Sequence, residues 1–185
     1  AQPMLDAVVV TATGREVDPI DTPQAVEVLS PDRTSAAAPT GEMFRGEPGL
    51  AVQSDGAWGQ NPVLRGLKKE SVVLLVDGKP LNSAQPAGAV GSFMSLGLAE
   101  RVEVVKGPAS VLYGTGALGG VYHIVLRKPD LERMAGFAAV GGSLMNSGGG
   151  GVNGEAMLNL PVVRDRLAMR LVGYGGREAG WIDAA

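Results

Sequence analysis

The amino-acid sequence predicts a β-rich domain of α+β type with short helices, followed by a tail of amphipathic strands. Three observations support this prediction: the composition, a series of strand-length apolar runs, and a change of pattern after Pro129. Glycine contributes 28 of 185 residues and aromatic residues only 4%. The glycine content is about twice its ordinary share, which favours tight turns and close backbone approaches over helix bundles.

Charge and composition argue against several classes of protein. The net charge of −3 argues against a nucleic-acid partner, which requires a basic surface. Because the chain has no cysteine, disulfide frameworks and thiolate metal sites are excluded. No run approaches the ~20 apolar residues of a membrane-spanning helix. The opening Ala1-Gln2-Pro3 is typical of a start left by signal-peptide cleavage, although an engineered start would look the same.

The first 24 residues contain one β-prone run, Asp6-Ala7-Val8-Val9-Val10-Thr11-Ala12, and then a polar stretch with Pro19 and Pro23. The run is either the first strand of the fold or a detachable strand that pairs with the edge of a partner's sheet. An exposed strand of this kind is an aggregation liability and would need a purpose. The residues alone favour neither interpretation.

Four strands are predicted in the central part of the chain, and they cover residues 26–29, 72–76, 99–106 and 121–126. Residues 72–76 are apolar on both faces, which is typical of a core strand, and Asp77-Gly78 after them predicts a tight hairpin. Residues 99–106 alternate between charged and apolar side chains, which predicts a strand with one buried face.

Helices are predicted to be few and short. Ser30-Pro31-Asp32 is typical of a helix start, but Pro39 and Gly41 interrupt that helix early. A second helical turn is predicted from Thr40 to Gly46.

The tail after Pro129 alternates in polarity. Residues 134–144 form a predicted strand, 145–151 a loop and 161–165 a turn. Between them, Ala156, Leu158 and Leu160 share one face, and Glu155, Met157 and Asn159 share the other. In the last segment Leu167, Met169 and Leu171 form one face, and Arg166, Ala168, Arg170 and Tyr174 the other. This period fits membrane β-barrel strands and, equally, a soluble antiparallel sheet with one wet face.

Signals of an enzyme are weak. Residues 114–119 fit the G-x-G-x-x-G pattern, but Gly107-Pro108 separates them from the preceding strand, and a strand is predicted after them where a nucleotide site needs a helix. The single histidine, His123, is predicted to be a polar side chain on an alternating strand. Ser110 has no visible base partner. We therefore predict no enzyme activity, no catalytic residue, no metal site and no cofactor.

Three segments resemble the plug domain of TonB-dependent outer-membrane receptors. Residues 61–67, NPVLRGL, resemble the NP-x-x-RG element of these plugs, and residues 73–81, VLLVDGKPL, resemble their VLVDG-x-P hairpin. Residues 100–114, ERVEVVKGPASVLYG, resemble the ERIEV-x-RGPAS-x-LYG segment, and the similarity continues to Pro129. The order and spacing of the segments also fit. Two departures are a short, broken region at residues 31–46 and YHIVL at residues 122–126 in place of the usual INI-V-T.

The resemblance implies an α+β plug domain with a small mixed β-sheet and short helices, followed by antiparallel β-strands of an incomplete transmembrane β-barrel. The implied domains are a TonB box and extended segment at 1–24, the plug at 25–130, and about three barrel strands at 131–185. The tail is long enough for only three or four strands of a barrel of about 22. We therefore expect part of a longer transporter or, alternatively, a free-standing plug-like periplasmic module that binds TonB or another partner without transport.

The resemblance also implies energy-driven uptake of a scarce ligand, such as a siderophore or cobalamin, across the outer membrane, with the N-terminal segment facing the periplasm. The implied partners are the TonB C-terminal domain, the remainder of the barrel and a small extracellular ligand (a metal chelate or a vitamin). The TonB-binding residues would be Asp6, Ala7, Val8, Val9, Val10, Thr11 and Ala12. The ligand-facing loop residues would be Gly56, Trp58, Gln60, Asn82 and Gln85. The residues in contact with the barrel would be Arg65, Glu100, Arg101, Glu103, Lys106 and Arg127.

Overall fold

The computed structural model describes residues 24–31, 40–54, 60–81, 94, 96–144 and 150–177. The strands are β1 (Ala25–Leu29), β2 (Leu50–Ser54), β3 (Gln60–Leu64), β4 (Leu67–Lys68), β5 (Val72–Val76), β6 (Lys79–Pro80), β7 (Ala99–Lys106), β8 (Gly120–Leu126), β9 (Ala135–Leu144), β10 (Gly150–Val163) and β11 (Leu167–Arg177). Within these described ranges, the helical segments are short 3-10 turns at Thr40–Phe44, Lys69–Ser71 and Leu96–Leu98, and one α-helical turn, α1 (Ser110–Tyr113). No helix among these residues is long and apolar enough to cross a membrane.

The central sheet has five strands in the order β1-β7-β8-β5-β6. Strands β5 and β8 run parallel, with Val72 opposite Gly120, whereas the other neighbours pair antiparallel. The sheet is therefore mixed, which confirms the fold class expected from the sequence. A smaller sheet, β2-β3-β4, adjoins it, and β11-β10-β9 form a third.

Apolar side chains cover both faces of the central sheet. On one face Leu74 and Tyr122 pack with Phe44, whose ring meets that of Tyr122 edge-on at 5.6 Å. On the other face Leu75 packs with Val121. Each such buried side chain contributes about 1.5–3 kcal/mol relative to an exposed one. Burial also raises the pKa of the Tyr122 hydroxyl.

Two hairpin turns contain a residue with positive φ followed by glycine. Asp77 and Gly78 have φ of 45° and 76°, and Arg65 and Gly66 have 50° and 84°. Turns with two positive φ angles match the twist of the flanking strands, so the hairpin predicted at Asp77-Gly78 is confirmed.

Strand β7 departs from its prediction because both of its faces are buried between residues 102 and 105. Val102 and Val104 lie in one core and Val105 in the other, and Glu103 has no exposed surface. The alternation of charged and apolar residues predicted a wet face. A charged residue can be buried on that face because Glu103 has charged and polar partners inside the protein.

The tail sheet shows the predicted alternation. Glu155 and Asn159 of β10 are buried, whereas the side chains of Val152 and Leu158 are 62% and 36% exposed. The turn expected at residues 161–165 is wrong in its start, because β10 continues to Val163. Pro161 lies beyond Asn159, where the pairing of β10 with β9 ends, and the β10–β11 register is irregular there, so proline is tolerated.

We predict that Gly120→Ala lowers the free energy of unfolding by about 3 kcal/mol or more. Gly120 has a φ of +143°, and a Cβ there would lie 2.2 Å from the carbonyl oxygen of Val105 and 2.8 Å from Leu64 Cδ2. Urea unfolding of the chain measures the loss. Gly116→Ala is the matched control, because its Cβ would meet Val73 Cγ2 at an ordinary 3.4 Å. Equal losses in the two variants would contradict the steric explanation.

Candidate functional site

The charged residues singled out from the sequence differ in their burial. Glu100, Arg65 and Arg127 are exposed, whereas Glu103 is fully buried. Arg101 and Lys106 are partly buried on β7. The resemblance implied that all six contact the barrel, but in the structure some of them have partners within the plug.

Glu103 is the centre of a buried polar group. Its Oε1 atom accepts a hydrogen bond from Arg101 Nε at 2.9 Å, and its Oε2 atom lies 3.6 Å from His123 Nδ1. His123 is directly opposite Glu103 in the β7–β8 register. Arg101 also pairs with the exposed Glu100 at 3.1 Å. Glu103 therefore joins two strands in the interior and offers no exposed oxygen to a surrounding wall.

His123 joins this group to the β5–β6 hairpin. Its Nε2 atom accepts a hydrogen bond from the Gly78 N–H at 2.8 Å, so the ring proton is on Nδ1, which faces Glu103. Asp77 Oδ1 accepts from the Leu126 N–H at 2.8 Å, and the Asp77 N–H donates to the Ile124 carbonyl. The turn is therefore attached to β8 at three points. The sequence predicted a polar strand residue here but not this attachment, which depends on the parallel pairing of β5 and β8.

Lys106 is the last residue of β7, and Arg65, in the turn after β3, lies close to it in space. The Lys106 ammonium pairs with Glu27 of β1 and donates to the Pro48 carbonyl at 2.6 Å. The Arg65 guanidinium lies over Gly107, since a Cβ on Gly107 would be 3.3 Å from Arg65 Nη1. The predicted contacts of these residues with a barrel stay a prediction.

The expected ligand-facing and TonB-binding residues lie mostly outside the described part of the chain. This holds for Gly56, Trp58, Asn82, Gln85 and residues 6–12. Gln60 is described, at the start of β3, and its side chain is 6% exposed and packs close to Gly41. Gln60 is therefore an interior residue, and the strand pairing that begins there turns it away from solvent.

The tail sheet contacts the central domain through its polar face. Asn159 of β10 binds the segment 130–133, and Arg170 of β11 donates from Nη2 to the Gly97 carbonyl at 3.1 Å. Within that segment the Asp130 carboxylate accepts from the N–H groups of Glu132 and Arg133, and these bonds hold the pKa of Asp130 below its usual value. The sequence placed Asn159 and Arg170 on the polar faces of their strands but named no partners for them.

No group of three or more His, Asp or Glu side chains able to hold a metal ion occurs among the residues that the structure describes. The polar groups of the site instead hold strands and turns together, and the arrangement can transmit or resist mechanical displacement of these elements.

We predict that Glu103→Gln lowers the free energy of unfolding by about 2–4 kcal/mol, because Arg101 loses its buried counter-charge and His123 loses the carboxylate that faces its Nδ1 atom. Glu100→Gln is the matched control. It removes the other carboxylate bound by Arg101, but that side chain is 48% exposed, so we expect a change below about 1 kcal/mol. Chemical denaturation of both variants measures the difference. Similar losses would show that burial of the Glu103 carboxylate has no special importance.

Comparisons with known proteins agree with this geometry. Residues 18–121 match the TonB-dependent Receptor Plug Domain family. The hemin receptor of Yersinia pestis is 42% identical over 120 residues, which cover 63% of this chain and 18% of the relative. The vitamin B12 transporter BtuB of Vibrio vulnificus (strain YJ016) is 39% identical over 85 residues, 45% of this chain and 14% of the relative.

A solved structure shows the same architecture. The alcaligin outer-membrane receptor FauA from Bordetella pertussis superposes with a TM-score of 0.73 and 26% identity, over 92% of this chain and 29% of that chain. The chain spans about a fifth or less of the length of the curated relatives it matches. Because the family match covers more than half of its residues, the chain belongs to the family of TonB-dependent receptor plug domains.

Proposed function

We propose that this chain is the gating plug, with the first barrel strands, of an outer-membrane receptor that takes up a scarce ligand by TonB-driven transport. One observation carries the proposal: the polar face of β9–β11 contacts the plug while Val152 and Leu158 point away from it. A wall that is polar toward a plug and apolar on the outside suits a barrel with a plugged lumen. The same observation favours the receptor over a free-standing periplasmic module, which has no evident use for such strands.

The structure also supports the proposed domain boundaries. The last strand of the plug ends at Leu126 and β9 begins at Ala135. The intervening turn at Asp130 is bound to β10 through Asn159. A plug at 25–130 and barrel strands at 131–185 are consistent with this division, with residues 1–24 as the TonB box and its connection to β1.

The ligand class is inferred from the relatives. They are a hemin receptor, a vitamin B12 transporter and an alcaligin receptor. We infer a small metal chelate or a vitamin as the ligand here. The plug loops at residues 55–59, between β2 and β3, and at residues 82–91 would face it, with Gly56, Trp58, Asn82 and Gln85 as the contact residues.

In this proposal, the force that drives transport would be applied at residues 6–12, in the periplasm. The TonB C-terminal domain would pair with this segment as an added strand and pull on it. The first described strand after it is β1, which lies at the edge of the sheet and, among the described residues, pairs with β7 alone. The Lys106–Glu27 ion pair is one of the contacts that resist its removal. An edge strand with one neighbour is easier to detach than a central strand.

We predict that Val9→Pro weakens binding to the TonB C-terminal domain by at least about tenfold, because proline removes a backbone donor from the added strand. Isothermal titration calorimetry with the purified domain measures the affinity. Val17→Pro is the matched control, because it places the same residue in the same segment outside the TonB box. Undiminished binding of Val9→Pro would eliminate residues 6–12 as the captured strand.

The receptor and the free-standing module also predict different gene products. An antibody against residues 26–129 detects the protein in isolated outer membranes. We expect a band far heavier than 18.9 kDa, the mass of this chain. A band at that mass, extractable without detergent, would identify a free-standing module and would end the transport proposal.

A further inference from the structure

Asn159 and Arg170 form a pair on the plug-facing side of the tail sheet. The two residues are directly opposite each other in the β10–β11 register. Asn159 is 2% exposed, and Arg170 is partly buried. Each binds a different segment of the plug. Because the two residues are neighbours on the tail sheet, one small area of that sheet contacts both segments.

Asn159 binds the segment through which the chain leaves the plug. Its Oδ1 atom accepts from the Asp130 N–H at 2.9 Å, and its Nδ2 atom donates to the carbonyls of Asp130 at 2.9 Å and Arg133 at 2.7 Å. Both Nδ2 hydrogens are therefore used. The Asp165 N–H contacts the Leu131 carbonyl at 3.4 Å, so the β10–β11 turn adds a weaker contact to the same segment.

Arg170 binds the segment through which the chain enters β7. It donates to the Gly97 carbonyl, and the adjacent Leu98 carbonyl accepts from the Arg127 N–H at 2.9 Å. Gly97 lies two residues before β7, and Arg127 directly follows β8. The contacts of Asn159 and Arg170 therefore bracket the antiparallel β7–β8 pair, which occupies the interior of the central sheet.

We propose that Asn159 and Arg170 are positioning residues that anchor β7, β8 and the exit segment to the barrel wall while the N-terminal part of the plug is pulled away. The inference rests on the proposed function for the direction of the pull. It specifies where displacement stops: β1, β5 and β6 flank the anchored pair and can leave it, whereas residues 97–133 stay on the wall.

The first test measures amide hydrogen exchange by NMR in the 185-residue chain. We expect Asn159→Ala to speed exchange of the Asp130 amide by at least about tenfold, because three hydrogen bonds to that segment are lost. Asn153→Ala is the matched control, on the same strand and the same face, and should leave Asp130 unchanged. An unchanged Asp130 in Asn159→Ala, or equal acceleration in the control, would overturn the anchor.

The second test pulls the chain between residue 1 and the β10–β11 turn with optical tweezers. We expect a separate last rupture that frees the 37 or so residues between Gly97 and β9, an extension of about 120–130 Å. In Asn159→Ala/Arg170→Ala this step should merge with earlier ones. In Asn159→Ala/Arg170→Lys, which keeps a donor at residue 170, the step should be partly separate again. The exposed Arg166→Ala should not alter it.

An unchanged last rupture in the double variant would refute the anchor. Neither measurement uses TonB or a ligand, so failure of the anchor and failure of the transport proposal are distinguishable. Loss of TonB binding to the intact chain would affect only the transport proposal.

Discussion

The burial of the Glu103 carboxylate is the constraint on which the central sheet depends. A charge with no exposed surface costs several kcal/mol unless partners surround it. Arg101 and His123 supply those partners, and His123 in turn accepts from Gly78 at the tip of the β5–β6 hairpin. One buried group therefore fixes the alignment of β7 with β8 and attaches the hairpin to both. A polar group of this kind specifies a single register, because a shift of one residue would leave each member without its partner.

The sequence predicted the elements whose signals are local. Strand β7 at residues 99–106 and strand β5 at 72–76 have the predicted bounds, because β-branched runs and the Asp77-Gly78 turn are readable from neighbouring residues. The hydrogen-bond partners of His123, Asn159 and Arg170 could not be predicted, because they lie 26 to 73 residues away in the chain. The same reason explains why Gln60 looked like a loop residue and is an interior one. Residues 6–12 and most of the proposed ligand loops lie outside the described residues, so their roles stay predictions.

In the proposed gate, the central sheet would contain the parts that move and the tail sheet would be fixed. Among the described residues, strand β1 has one neighbour and an ion pair through Glu27. Strands β7 and β8 each have two neighbours, and the segments that flank this pair contact the tail sheet. Glycine-rich turns such as Gly119-Gly120 allow backbones to approach closely without long side chains. The domain is thus held by a few specific polar contacts and a small core, a combination that can open in part without complete unfolding.

The parallel pairing of β5 with β8 also bears on the order in which the chain acquires its structure. It joins Val72 to Gly120, so the entropy cost of bringing these distant parts of the chain together must be met before this pairing contributes stability. The β9–β11 meander joins neighbouring segments through short connections and has low contact order, which favours rapid formation. We therefore expect the meander to assemble first. Its polar face would then serve as a template, and the last sheet to form would be the central sheet, the one that opens in the proposed transport cycle.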